Sequence, residues 1–161
     1  MDELSMMYGW VKNTRKGLLD YCTELSPAAF VQEDSAIGHG SIRNLLLHTA
    51  DCYGHWLAGF ALGKERSGLL AADYPDMAAI RGAFAQADEY MDGFLARFEN
   101  ALDGPVFGRV RWSPEPLVVT PRWLFTHTVT HEFHHKGQVV SLGRRLGYPP
   151  PETDLILPTL S

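Results

Sequence analysis

Apolar positions recur along this chain at helical spacing in four long stretches, separated by one short region of extended character. Leu4, Met7, Tyr8, Val11, Leu18, Tyr21 and Leu25 lie three, four or seven residues apart or at multiples of a turn, which places them on one helical face, and they predict a first helix from Glu3 to Glu24. Ser26-Pro27 then starts a short helical turn through Phe30, with proline at the first position where its missing N–H costs nothing. A second helix is expected from Ser41 as N-cap to about Leu62, with Ile42, Leu45, Leu46, Tyr53, Trp56, Leu57 and Phe60 on its apolar face and Gly63 as its stop. The third starts at Asp73 or Asp76, with Pro75 near its start, and runs to about Ala101 on a stripe that includes Met77, Ile80, Phe84, Met91, Phe94 and Phe98. Thr120-Pro121 opens the fourth, and Gly147 followed by Pro149, Pro150 and Pro151 ends it, with Arg144 and Arg145 suited to its last turn.

Between the third and fourth helices the helical period fails. Val106 to Trp112 and Leu117 to Val119 read as extended around Ser113-Pro114-Glu115-Pro116, either as a small hairpin or as a long irregular loop. Residues 31–40 read as a connection whose Gly38-His39-Gly40 centre is flexible and leaves His39 exposed. Four long helices with one longer crossover predict an all-α four-helix bundle. Leu155, Ile156 and Leu157 are expected to pack back onto it.

Histidine placement carries the chemistry. His127, His131, His134 and His135 fall within the fourth helix. Residues four apart stack one turn above each other, about 6 Å apart, so His131 and His135 can share one metal ion. His127 lies a further turn back on nearly the same face, and His134, rotated by about 100° from His135, faces elsewhere. Two buried bystander imidazoles would need partners for four ring nitrogens, and a metal satisfies two of them. If the second and fourth helices face each other, His48 joins the pair. His55, two turns beyond His48, and His127 stay as alternative ligands. Three neutral imidazoles suit Zn²⁺, Ni²⁺, Co²⁺ or Fe²⁺ and leave a coordination position open. Asp51, three residues after His48, is placed to orient a histidine; Gln138 can fix a loop or tether a ligand, and Glu132 reads more readily as a solvated charge than as a partner of the site. Gly137, costly in mid-helix, suggests a close approach by another helix or a ligand. Trp112 is placed to cover the open end of a site.

Composition narrows the class. The 161 residues are 45% apolar and 20% charged, as in a globular chain, and fit one domain. A formal net charge of −5 argues against nucleic acid as a partner, although Arg109, Arg111 and Arg122 near the crossover could hold a carboxylate or phosphate. Cys22 and Cys52 are too few for a disulfide framework and read as packed thiols in a reducing cytoplasm. The opening Met1-Asp2-Glu3-Leu4 lacks the basic flank and apolar core of a secretory leader, and no apolar run spans a membrane.

The run Ser41-Ile-Arg-Asn-Leu-Leu-Leu-His48, the core His131-Glu-Phe-His-His135-Lys-Gly137-Gln138 and the trailing Leu146-Gly147-Tyr148-Pro149-Pro150 together resemble the DinB-like metal-binding four-helix bundles, which include bacterial low-molecular-weight thiol S-transferases and mycothiol-dependent maleylpyruvate isomerases. The resemblance covers nearly the whole chain in element order and implies a single DinB-like bundle over residues 1–161. It implies a divalent metal held, by position, by His48, His131 and His135, and often a homodimer. The implied activity is that of a metal-dependent enzyme, a thiol S-transferase or a hydrolase, acting on a small molecule with a low-molecular-weight thiol as co-substrate. The competing expectation is a non-catalytic metal-binding stress-response or interaction protein.

Overall fold

The computed structural model describes residues 3–155. Its elements are α1 (Glu3–Thr23), α2 (Pro27–Val31), α3 (Ile42–Tyr53), a π-helical continuation of α3 (Gly54–Ala61), a 3₁₀ turn (Ala71–Asp73), α4 (Met77–Phe98), strands β1 (Val106–Gly108) and β2 (Leu117–Val119), and α5 (Pro121–Arg145). The four long helices are those anticipated from the apolar period, and the fold is an all-α bundle with one small two-stranded sheet. Four of the five α-helix starts, those of α2 to α5, have a local chemical cause. Ser26, Ser41, Asp76 and Thr120 accept hydrogen bonds from the backbone N–H groups of Ala29, Asn44, Ala79 and Trp123, which satisfies amides that an α-helix leaves unpaired. At the end of α5, Gly147 takes φ +90. Tyr148 N–H then donates to Gly143 C=O at 2.9 Å and Gly147 N–H to Arg144 C=O at 3.1 Å, the paired reverse bonds of a Schellman ending.

The extended region resolves as a hairpin, antiparallel with Val106 opposite Val119, Phe107 opposite Val118 and Gly108 opposite Leu117. It packs on the π-helical segment. Gly108 permits that approach, because a Cβ there would lie 2.5 Å from ring atoms of Phe60. Gly137 does not have the role its sequence position suggested: it is exposed and a Cβ there would meet nothing within 4 Å. Leu155 borders an apolar groove with Met7, Trp10, Phe125 and Phe133 while staying 46% exposed, and Ile156 and Leu157 lie outside the described residues.

Helix α3 packs against both α4 and α5, while α1 packs against α4 and α5. The core falls into two apolar clusters. One gathers Tyr53, Trp56, Leu57, Met91, Phe94, Leu124 and Phe125; the other gathers Leu18, Ile42, Leu45, Leu46, Ile80, Phe84, Val139 and Leu142. Between them along the helices lies a polar layer. Arg15 falls between Val11 and Leu18, Asp88 between Phe84 and Met91, and Glu132 between Phe125 and Val139. Among the described residues, no helix is long and apolar enough to cross a membrane.

Candidate metal centre

His48 sits on α3 two turns beyond the Ser41 cap, and His131 and His135 sit one turn apart on α5. Because α3 and α5 face each other, the three rings meet. Nε2 of His131 lies 3.1 Å from Nε2 of His48 and 3.2 Å from Nε2 of His135. The His48 and His135 rings stand edge to face with centroids 4.7 Å apart.

A fourth imidazole arrives from a direction that helical spacing does not reveal. His39, in the loop before α3, stacks on His48 with centroids 3.8 Å apart. One ligating nitrogen from each of His39, His48 and His135 lies within 4.8 Å of the others. The loop is tied by Asp34 N–H donating to Gly40 C=O at 2.6 Å and Gly40 N–H donating to Ile37 C=O at 3.0 Å. His39 adopts φ 70 within it, a left-handed conformation uncommon for a residue with a side chain. The only sequence signal for this was its setting between two glycines.

The remaining histidines lie around the cluster. His127 stacks on Trp123 (centroids 4.9 Å apart, 12° between planes) and meets Trp56 edge-on; its ring centroid is 5.8 Å from that of His131. His55 lies against Trp56 and Trp112. His134 is exposed, as its rotation about α5 predicted.

Protonation follows from burial and from neighbouring rings. Burial, reinforced by His39 and His135, pulls the His48 pKa down to about 4. Burial, reinforced chiefly by His135 and His48, pulls that of His131 down to about 3. Burial also lowers His135, outweighing the opposing effect of its bond to Gln138. At neutral pH these rings therefore present lone pairs. His135 Nδ1 lies 2.7 Å from Gln138 Oε1. That oxygen can only accept, so the His135 proton sits on Nδ1 and its Nε2 is a lone pair. His131 Nδ1 is buried without a hydrogen-bond partner. Its Nε2 faces two other Nε2 atoms, and one ring proton cannot satisfy both contacts. A cation at the convergence removes this mismatch. Two nitrogens each 2.0–2.1 Å from a tetrahedral ion stand roughly 3.3 Å apart, close to the spacings present. The donor set therefore fits a divalent transition metal.

Glu132 is not a solvated charge. It is 5% exposed and receives Arg15 at both oxygens: Nε donates to Oε1 at 2.8 Å and a terminal nitrogen to Oε2 at 2.9 Å. Tyr53 Oη donates to Oε2 at 2.5 Å. Arg15, 4% exposed, also donates to Asp88 at 2.6 Å, and Tyr8 Oη donates to the same Asp88 oxygen at 2.6 Å. This network joins α1, α3, α4 and α5 one residue from His131. Asp51 also departs from its expected role: it pairs with Arg66 rather than orienting a histidine. Arg122 is taken by both oxygens of Asp103, which removes it from any anion site. Cys22 and Cys52 are buried and unpaired, and burial pushes both thiols up to about 12, which makes them poor nucleophiles.

Two clefts meet at the cluster. One, of about 340 Å³, is lined by His39, Asn44, Leu47, His48, Asp51, Leu69 and Ala71. The other, of about 470 Å³, is bounded by His48, His131, His127, His55, Trp56, Arg111 and Trp112. Trp112 borders the mouth of the second, the position foreseen for it. His48 and Asp51 line both. The family model described as DinB family matches residues 1–159. A comparison with curated proteins returns no match.

Proposed function

The chain belongs to the DinB family, and on that premise we propose that it binds one divalent transition metal through His48, His131 and His135 and uses it as a metal-dependent enzyme of the thiol-transferase type. The observation that carries the reading is the double approach of His131 Nε2 to the Nε2 atoms of His48 and His135. When bound, the ion would supply Lewis-acid chemistry, lowering the pKa of a coordinated thiol or water. The protein's own contribution is orientation. Gln138 fixes the His135 tautomer, the kind of outer partner that holds a ligand's lone pair on the metal. The Arg15–Glu132–Tyr53 network ties the α5 turn that carries His131 to α1 and α3. The two clefts give a thiol and an electrophile separate approaches to one centre, which favours group transfer over simple storage of an ion.

His39 is the candidate for a further, loop-borne ligand. It is exposed and stacked on His48, with a ligating nitrogen within 4.8 Å of those of His48 and His135, so it would add to the coordination from outside the helices. The metal is any of Zn²⁺, Ni²⁺, Co²⁺ or Fe²⁺, since imidazole suits all four.

The test is elemental analysis of protein purified without an affinity tag, alongside His48→Ala, His131→Ala and His135→Ala. Stoichiometric metal in the parent and its loss in each variant are expected. Turnover of electrophiles is then followed with bacillithiol, mycothiol and glutathione, with and without metal. Metal retained by all three variants would overturn the ligand set. Bound metal with no metal-dependent turnover across the panel would leave a non-catalytic metal protein.

A further inference from the structure

The larger cleft has a chemical character of its own. Its inner end is His48 and His131; its walls are His55, Trp56 and Trp112. The indoles stand at 68° with centroids 6.0 Å apart, and His55 lies 5.5 Å from Trp112 at 31°. This is a corner of aromatic faces, and such surfaces take flat π-systems by stacking or edge contact. The space is that of an ordinary small-molecule site.

The charge is equally one-sided. Two cations and one acid stand at or beside the cleft. Arg66 is engaged by Asp51, so that pair cancels. Arg111 has no ion-pair partner among the described residues and lines the cleft. Its positive field reaches His55, whose pKa is lowered by burial and then by Arg111. His55 lines the cleft with its ring, while its Nε2 is buried with no hydrogen-bond partner. A guanidinium matches a carboxylate with two parallel hydrogen bonds.

Resting on the proposed metal reading for the identity of the reacting centre, we infer that the Trp56–Trp112 cleft selects a flat, aromatic or conjugated substrate carrying one carboxylate, with Arg111 holding the carboxylate and the ring system directed toward His48 and His131. The thiol then enters by the smaller cleft on the His39 side, and the two reactants do not compete for one opening.

The experiment measures binding by calorimetry and by the indole N–H resonances of the whole protein, with 2-naphthoate as probe. The comparison ligands are naphthalene-2-carboxamide, naphthalene-2-sulfonate and cyclohexanecarboxylate. Expected are binding of 2-naphthoate about tenfold or more tighter than of the neutral carboxamide, in line with a charge-assisted contact, weaker binding of the saturated acid, and shifts of the Trp56 and Trp112 resonances. Arg111→Gln removes the preference for naphthoate over the carboxamide, Arg111→Lys restores part of it, and Trp112→Ala weakens both ligands. Equal affinity for acid and amide, equal affinity for flat and saturated acids, or affinities untouched by Arg111→Gln and Trp112→Ala would overturn the assignment; sulfonate bound tighter than carboxylate would overturn the choice of anion. Repeating the titration on metal-free, chelator-treated protein separates the two claims. Naphthoate binding without metal affinity leaves the cleft assignment standing and removes the metal reading, whereas metal affinity without naphthoate binding does the reverse.

Discussion

Replacing Arg15 with Met takes the cation out of the polar layer between the two apolar clusters. The methionine keeps most of the aliphatic stem and removes the guanidinium, whose carbon lies 4.8–5.5 Å from the centres of the Phe84, Tyr8 and Tyr53 rings, so the loss is chiefly electrostatic. Glu132 would keep only the Tyr53 hydroxyl, and it is 5% exposed, so water cannot replace the two bonds from Arg15. Breaking a buried pair from one side costs about 3–5 kcal/mol. Asp88 is 31% exposed on its side chain and keeps Tyr8, so it adds little to that figure. For a domain of this size each kcal/mol lowers Tm by roughly 2–4 °C, so a fall of about 6–20 °C is expected. Removing the carboxylate as well, in Arg15→Met with Glu132→Met and Tyr53→Phe, leaves no buried unpaired charge and no orphaned Tyr53 hydroxyl, with only the part-exposed Asp88 short of a partner, and more than half of the loss should return. Urea denaturation of metal-free protein, monitored by tryptophan fluorescence, measures the free energies, and thermal melts measure the Tm. A single-variant loss below about 1 kcal/mol would mean the pair is not desolvated, and a triple variant no more stable than Arg15→Met would refute the claim that the unpaired carboxylate is the source of the cost.

Other perturbations probe the site and its supports. Gly137→Ala should stabilise the chain by about 1 kcal/mol, since the position is open and helical, whereas Gly108→Ala should destabilise it by roughly 1–3 kcal/mol by driving a methyl into Phe60; thermal melts distinguish the two signs. Gln138→Leu should weaken metal affinity about 10- to 100-fold by freeing the His135 tautomer, read by competition with a chromogenic chelator. For metal-free protein, His48 and His131 have folded-state pKa values near 4 and 3, below the roughly 6.5 of an unfolded histidine. The unfolded chain therefore binds more protons in that window, and stability should fall as pH drops from about 6.5 toward 4. In His48→Ala/His131→Ala that slope should flatten, and an unchanged slope would assign the acid sensitivity elsewhere.

Most of what builds the fold was written locally. The caps at Ser41 and Thr120, the apolar period of the four helices and the Gly147 ending each act within a few residues, so the residues themselves disclose them. The meeting of His48 with His131 and His135 was accessible for a related reason: helix period fixes which side chains share a face, and a bundle leaves few ways for two apolar faces to meet. The features that escaped are those in which a side chain's fate is decided by another element. Glu132 has the composition of a surface residue and is buried only because Arg15, 117 positions earlier, arrives at both of its oxygens. Asp51 sits at the spacing of a histidine orienter but is claimed by Arg66 from the following loop. His39 is the sharpest case. Its neighbours Gly38 and Gly40 describe a mobile exposed loop, yet the Asp34–Gly40 and Gly40–Ile37 bonds fold that loop onto α3 and set the ring on His48. Because its backbone is held at a positive φ, the placement costs conformational energy that an idle surface residue has no reason to bear. Of the four clustered imidazoles, His39 alone stands on a loop rather than on α3 or α5, so under the proposed metal reading it is the ligand whose exchange would leave the helices in place.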